Sequence, residues 1–273
     1  MAPPSPRPVR RPAEGRPGHR PEPALVAVAH GSRHPGALPA VTALLELVRS
    51  LRPGLRVVPA HIELDEPLLA DALAALPAGD AVLVPLLFGR GHHVKHDLPR
   101  AAAGAAHLSV RTAAPLGPHP LLADALAGRL AETGWTGAGR PDGGVVLAAA
   151  GSRDPESAQD ASRTAELLSA RLGGVPVVPA YASAAAPTVP EAVAALRAAG
   201  RGRTALASCF TAPGLFAARC ARAVPGLPAA RPLGAHPSLA RLVLHRYDEA
   251  RARRDAPADR PARRGGRRLA RAS

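Results

Sequence analysis

The chain alternates short, wholly apolar runs with longer segments whose apolar residues recur three or four positions apart. Ala24 to Ala29 (ALVAVA) is a run of the first kind and reads as a strand buried on both faces. From Ala37 to Leu51 the apolar residues Leu38, Val41, Leu44, Leu45, Val48 and Leu51 keep a helical period, and Pro53-Gly54 ends that helix. Leu55 to Ile62 reads as a second strand, followed by ELDEP and a helix through Leu76. Val82 to Leu87 (VLVPLL) is a third buried strand, and an Ala-rich helix is expected after Pro99. Ser109 to Ala114 makes a fourth strand, and Leu121 to Leu130 the helix after it. Such alternation calls for a parallel α/β sheet covered on both faces; in a doubly wound sheet the strand order would be 2-1-3-4.

The pattern then returns. LVAVAHGSRHP at Leu25–Pro35 reappears as VVLAAAGSRDP at Val145–Pro155, a shift of 120 residues. VVPAHIELDEP from Val57 reappears at the same shift as VVPAYASAAAP from Val177, and PLGPHP at Pro115 as PLGAHP at Pro232. Three anchors in one order make the chain a tandem duplication. The expected layout is a tail over 1–23, a first α/β/α domain over 24–131, a linker over 132–144, a second domain over 145–248 and a tail over 249–273.

The copies differ where chemistry is possible. His30 becomes Ala150, His61 becomes Tyr181 and Glu63 becomes Ser183; with Gly91 set against Gly214, His93 faces Phe216, a side chain expected to serve packing. His30 follows the first strand and Glu63 the second. After the third come three histidines, Lys95 and Asp97 within His92–Asp97. In the expected sheet these strand ends are neighbours. Two imidazoles and a carboxylate converging there suit a first-row divalent cation with an open position, or general acid/base work. Lys95 is the only lysine in the chain. His96 and Asp97 read either as orienters of a ligand or as a helix cap, His61 and His92 as bystanders at a cleft rim, and His119 and His236 as structural. Neither a P-loop nor a GxGxxG motif occurs, so nucleotide use has no support.

AHGSR, IELDEP and PLLFGRGHHVKHDLP together resemble the class II chelatase family of sirohydrochlorin and cobalt chelatases, in its long, duplicated form. The likeness spans about Ala24 to Asp248. It implies two flavodoxin-like, chelatase-like halves whose parallel sheets face a cleft, and ATP-independent insertion of Fe²⁺ or Co²⁺ into sirohydrochlorin. It also implies metal ligation by His30 and His93, with Glu63 as the acidic residue of the cleft. No cofactor is expected beyond the metal substrate. Sirohydrochlorin carries eight carboxylates, so Ser32, Arg33 and Lys95 are the expected substrate-binding residues. The competing expectation on the same residues is a non-catalytic carrier of metal or tetrapyrrole.

Composition alters this picture little. Of the formal +14, residues 1–24 carry +3 and residues 251–273 carry +7, so the charge belongs mostly to Pro/Arg-rich ends expected to be disordered. No nucleic-acid partner is expected. No segment has the apolar length of a membrane span or of a secretory signal, and Cys209 and Cys220 form neither a disulfide framework nor a metal motif. A cytoplasmic protein without a membrane partner is the expectation.

Overall fold

In the computed structural model, which describes residues 22–253, two parallel sheets stand side by side. The first contains β1 (Ala24–Ala29), β2 (Val57–His61), β3 (Gly79–Pro85) and β4 (Leu108–Thr112), in the order β2-β1-β3-β4. The second contains β5 (Gly143–Ala149), β6 (Val177–Tyr181) and β7 (Arg203–Ser208), in the order β6-β5-β7. Where the first copy has β4, the second keeps only an isolated bridge between Leu206 and Ala229. Every residue of β1 is buried, as an uninterrupted apolar run in a doubly covered sheet requires. Register is equivalent in the two copies: Ala29 pairs with His61 and Ala149 with Tyr181.

Helices cover both faces of each sheet. α1 (Ala37–Leu51) buries Val41, Leu44, Leu45 and Val48, while Leu38 and Leu51, part of the same apolar period, lie exposed. α2 (Leu69–Ala74) and α3 (Leu98–Gly104) close the opposite face over Val26, Val28, Ala81 and Leu83. In the second copy α5 (Pro155–Arg171) covers one face, and α6 (Val189–Ala198) and α7 (Leu215–Arg222) the other.

The last helix of each copy crosses over. α4 (Pro120–Ala131) leaves the first copy and packs on α5 and β7; α8 (Pro237–Ala252) leaves the second and packs on α1, α4 and β3. One apolar core therefore runs through both copies, from Leu44 and Val82 to Leu147, Val243 and Tyr247. Arg52 on the end of α1 makes two 2.7 Å hydrogen bonds to Asp248 on α8, fastening the exchange at the surface. This interlocking holds the two sheet edges in one relation, which a cleft between them needs.

Boundaries moved in three places. α8 continues to Ala252, so residues 249–252 belong to the fold rather than to a tail, and β5 begins at Gly143, inside the expected linker. The remaining tail expectations, over 1–21 and 254–273, lie outside the described residues. The helix expected after Pro99 starts earlier, as a π-helical turn over His93–Asp97 that runs directly into α3. Pro99 has no N–H to give the carbonyl of Lys95, and a wider turn accommodates that gap.

Candidate metal centre

His30 is the first residue beyond β1 and Glu63 the second beyond β2. The backbone ties them together: Glu63 N–H donates to the His30 carbonyl at 3.0 Å. Gly31 makes this possible. Its φ is +96°, and a Cβ there would lie 1.7 Å from the Glu63 carbonyl oxygen, so only glycine lets the two loops approach. Ser32 N–H then donates to Asp65 at 2.9 Å, closing the turn. His30 Nδ1 stands 3.5 Å from Glu63 Oε1, with both side chains substantially exposed.

His93 opens the π-helical turn after β3. Its ring meets that of His30 edge to face, with centroids 4.7 Å apart. Its Nδ1 lies 2.7 Å from Asp97 Oδ2. A carboxylate only accepts, so Nδ1 carries the proton and the Nε2 lone pair is left for a metal. Asp97 makes no side-chain cap bond to the following helix; its carboxylate serves His93. His92 stacks against His96 at 4.6 Å, outside the His30–His93 pair. Among the described residues, no three His, Cys, Asp or Glu side chains enclose a metal position by themselves. Two imidazoles thus offer a partial shell.

His30, Ser32, Arg33, Glu63 and His93 border one cavity of about 690 Å³, whose far wall comes from the second copy through Ala150, Ser152, Tyr181, Phe210 and Phe216. That volume is typical of a small-molecule cleft. Leu215 and Phe216 are 72% and 38% exposed at its edge, and Leu64 lines it from the first copy at 52%. Phe216 is therefore an apolar wall of the cleft and not a core residue. Cys209 also lines the cavity, but burial pushes its thiol up to about 12, so it supplies no thiolate.

The CbiX family model matches this chain twice, over residues 24–133 and 144–250. The chain belongs to the CbiX family. Sirohydrochlorin ferrochelatase of Bacillus subtilis (strain 168) is 26% identical to it over 251 residues, 86% of this chain and 95% of the relative. Among solved structures, SirB from Bacillus subtilis with Fe³⁺ superposes with a TM-score of 0.69 at 24% identity, over 86% of this chain and 98% of that one. SirB from Bacillus subtilis subspecies spizizenii, in complex with cobalt, gives 0.66 at 22%, with the same coverage. These likenesses agree with the two interlocked α/β copies described above. No helix among the described residues is long and apolar enough to cross a membrane.

Within this CbiX fold, Lys95 is placed apart from the other residues singled out in the sequence. Its ammonium lies 2.6 Å from Asp154 of the second copy and also contacts Glu156, and it does not border the cavity. Lys95 in turn holds the Asp154 carboxyl below its usual range. Arg33 is then the cation bordering the cavity among the described residues. His61 is buried in the cleft wall rather than at its rim, 1% exposed, with both ring nitrogens unpartnered. His119 and His236 are N-caps, accepting from Leu121 and Ser238 N–H at 3.1 and 3.2 Å. Nothing in the sequence marks Asp65, which sits inside the ELDEP anchor, or Arg90, one arginine among many in an arginine-rich chain.

Proposed function

We propose that this chain inserts a divalent metal, Fe²⁺ or Co²⁺, into sirohydrochlorin without ATP. The observation that carries the reading is the pair His30 and His93, 4.7 Å apart, each with a carboxylate at Nδ1, on one wall of a cavity sized for a small molecule. Asp97 fixes the His93 tautomer, and Glu63 does the same for His30 whenever its Nδ1 carries the proton. With both Nδ1 atoms so engaged, the two Nε2 lone pairs are the ones free to bind a cation. Two neutral ligands hold a metal without caging it, so it can pass to the macrocycle. Insertion also requires two pyrrole protons to leave. Glu63, exposed and beside the pair, is the group placed to receive one. Leu64, Leu215 and Phe216 offer apolar surface to the ring faces, and Arg33 a charge to its carboxylates.

The reading covers either metal, and cobalamin or sirohaem synthesis would consume the respective product. The test mixes purified protein with sirohydrochlorin and excess Fe²⁺ or Co²⁺ under anaerobic conditions and follows the absorption spectrum. Many product equivalents per chain are expected with at least one metal. Product that stops at one equivalent with both metals would instead make the chain a carrier.

A further inference from the structure

The segment that carries His93 has few anchors in its own half: Phe88 packs on the shared core and Leu87 accepts a hydrogen bond from Leu116 N–H. From Leu87 to Asp97 no residue is buried, and the next buried side chain is Leu98. Its charged anchors lie in the second copy. Arg90 N–H donates to Asp160 Oδ2 at 2.8 Å, and the Arg90 guanidinium bonds both Asp160 oxygens and, at 2.9 Å, Glu156. The Asp160 side chain is only 4% exposed. Gly89 and Gly91 flank Arg90: a Cβ on Gly89 would press on Ser157 Oγ of α5 at 3.3 Å, and one on Gly91 would lie 3.7 Å from Ser152 Oγ in the loop before that helix. Lys95, one helical turn on, pairs with Asp154 and Glu156 of the same helix start.

The duplication supplies a comparison within one molecule. The symmetry-related contact sets Gly214 near Ser32, as Gly91 sits near Ser152. There the counterparts of Arg90 and Lys95 are Pro213 and Ala218, and those of Asp154, Glu156 and Asp160 are His34, Gly36 and Ala40. A Cβ on Gly36 would indeed touch Pro213. The reciprocal contact carries none of these ion pairs. Charge has been placed on both partners of one contact, and it is the contact that holds the ligand-bearing loop.

We propose that the second half, bare of ligands, works as a clamp for metal capture: Arg90 and Asp160, supported by Lys95, Asp154 and Glu156, are positioning residues that hold His93 opposite His30. This rests on the reading of His30 and His93 as the metal pair. The test is calorimetric titration of the full-length chain with Co²⁺ alone, for Asp160→Asn, Asp160→Ala, Arg90→Ala and the double variant Arg90→Ala/Asp160→Ala, each with its thermal midpoint. Loss of such supporting contacts weakens metal binding by about tenfold or more. Asp160→Asn and each single alanine variant should show that loss, and the double variant should lose less than the sum of the two singles, because they share the Arg90–Asp160 ion pair. Asp248→Asn, which breaks the Arg52 pair away from the cleft, should lower the midpoint while leaving Co²⁺ affinity unchanged. Wild-type affinity in Asp160→Ala, or equal weakening in Asp248→Asn, would overturn the clamp while leaving the metal pair standing. Absence of Co²⁺ binding in the wild type would overturn both.

Discussion

His93 Nδ1 lies 2.7 Å from Asp97 Oδ2, four residues further along one π-helical turn. That distance is a short, charge-assisted hydrogen bond, and it decides which ring nitrogen faces the cleft. Asp97→Asn keeps the shape but allows the amide to present either a donor or an acceptor, so the ring orientation and tautomer are no longer fixed. Co²⁺ affinity is expected to fall about 10–100-fold, the usual effect of losing such a partner. Asp97 is partly exposed, so the thermal midpoint should move little. Calorimetry with Co²⁺ beside a melting curve checks both, and an unchanged dissociation constant would contradict the assignment.

Phe216 occupies the place of His93 in the second copy, and from sequence alone its loss would act on packing. The structure corrects that expectation. The side chain is 38% exposed and lines the cleft. Phe216→Ala should therefore cost well under the ~3–5 kcal/mol of a buried Phe. Its main effect should be a several-fold rise in KM for sirohydrochlorin, with metal affinity intact. Steady-state kinetics and chemical denaturation separate the outcomes; a large loss of stability at unchanged KM would refute the placement.

Two helix caps titrate in an informative window. Burial, then Arg246 and His245, hold His119 below the ordinary imidazole value; burial, then Arg129, does the same for His236. Both rings accept a backbone N–H through Nδ1, which protonation would abolish. The unfolded chain, with imidazoles near ~6.5, binds these protons at higher pH than the folded one. Their contribution is complete above about pH 6.5 and is lost as pH falls through the depressed folded values. The thermal midpoint should decline from pH 7 towards 5. His119→Asn/His236→Asn, which caps without titrating, should flatten that decline. An unaltered slope in the double variant would exclude the caps as its source.

Much of this architecture is legible in the residues themselves. Each of His30, Glu63 and His93 follows an apolar run recognisable as a strand, and pairing ALVAVA with VVPAH on one side and with the third strand on the other sets the three loops at one sheet edge. The helix exchange is not legible in this way. Apolar period identifies the buried faces of α4 and α8 but not which sheet they cover, and Leu38 and Leu51 show that period even overstates the buried face. Arg90 and Asp160 lie 70 residues apart in different copies, and nothing local couples them. His93 and Asp97 were a recoverable pair. Their i, i+4 spacing becomes meaningful once the helix is started at His93, and Pro99 argued for a later start.

The central claim is that one metal-inserting pair, His30 and His93, serves the whole chain. Both residues sit in partly exposed strand-end segments, so His30→Ala and His93→Ala should fold with near-native midpoints. The most direct measurement is the initial rate of metal insertion into sirohydrochlorin by His93→Ala beside wild type, with Co²⁺ stoichiometry titrated on the same samples. The account predicts one site per wild-type chain, and in the variant a rate reduced at least 100-fold with binding greatly weakened. Wild-type turnover in His93→Ala, or two equivalent sites per wild-type chain, would contradict it.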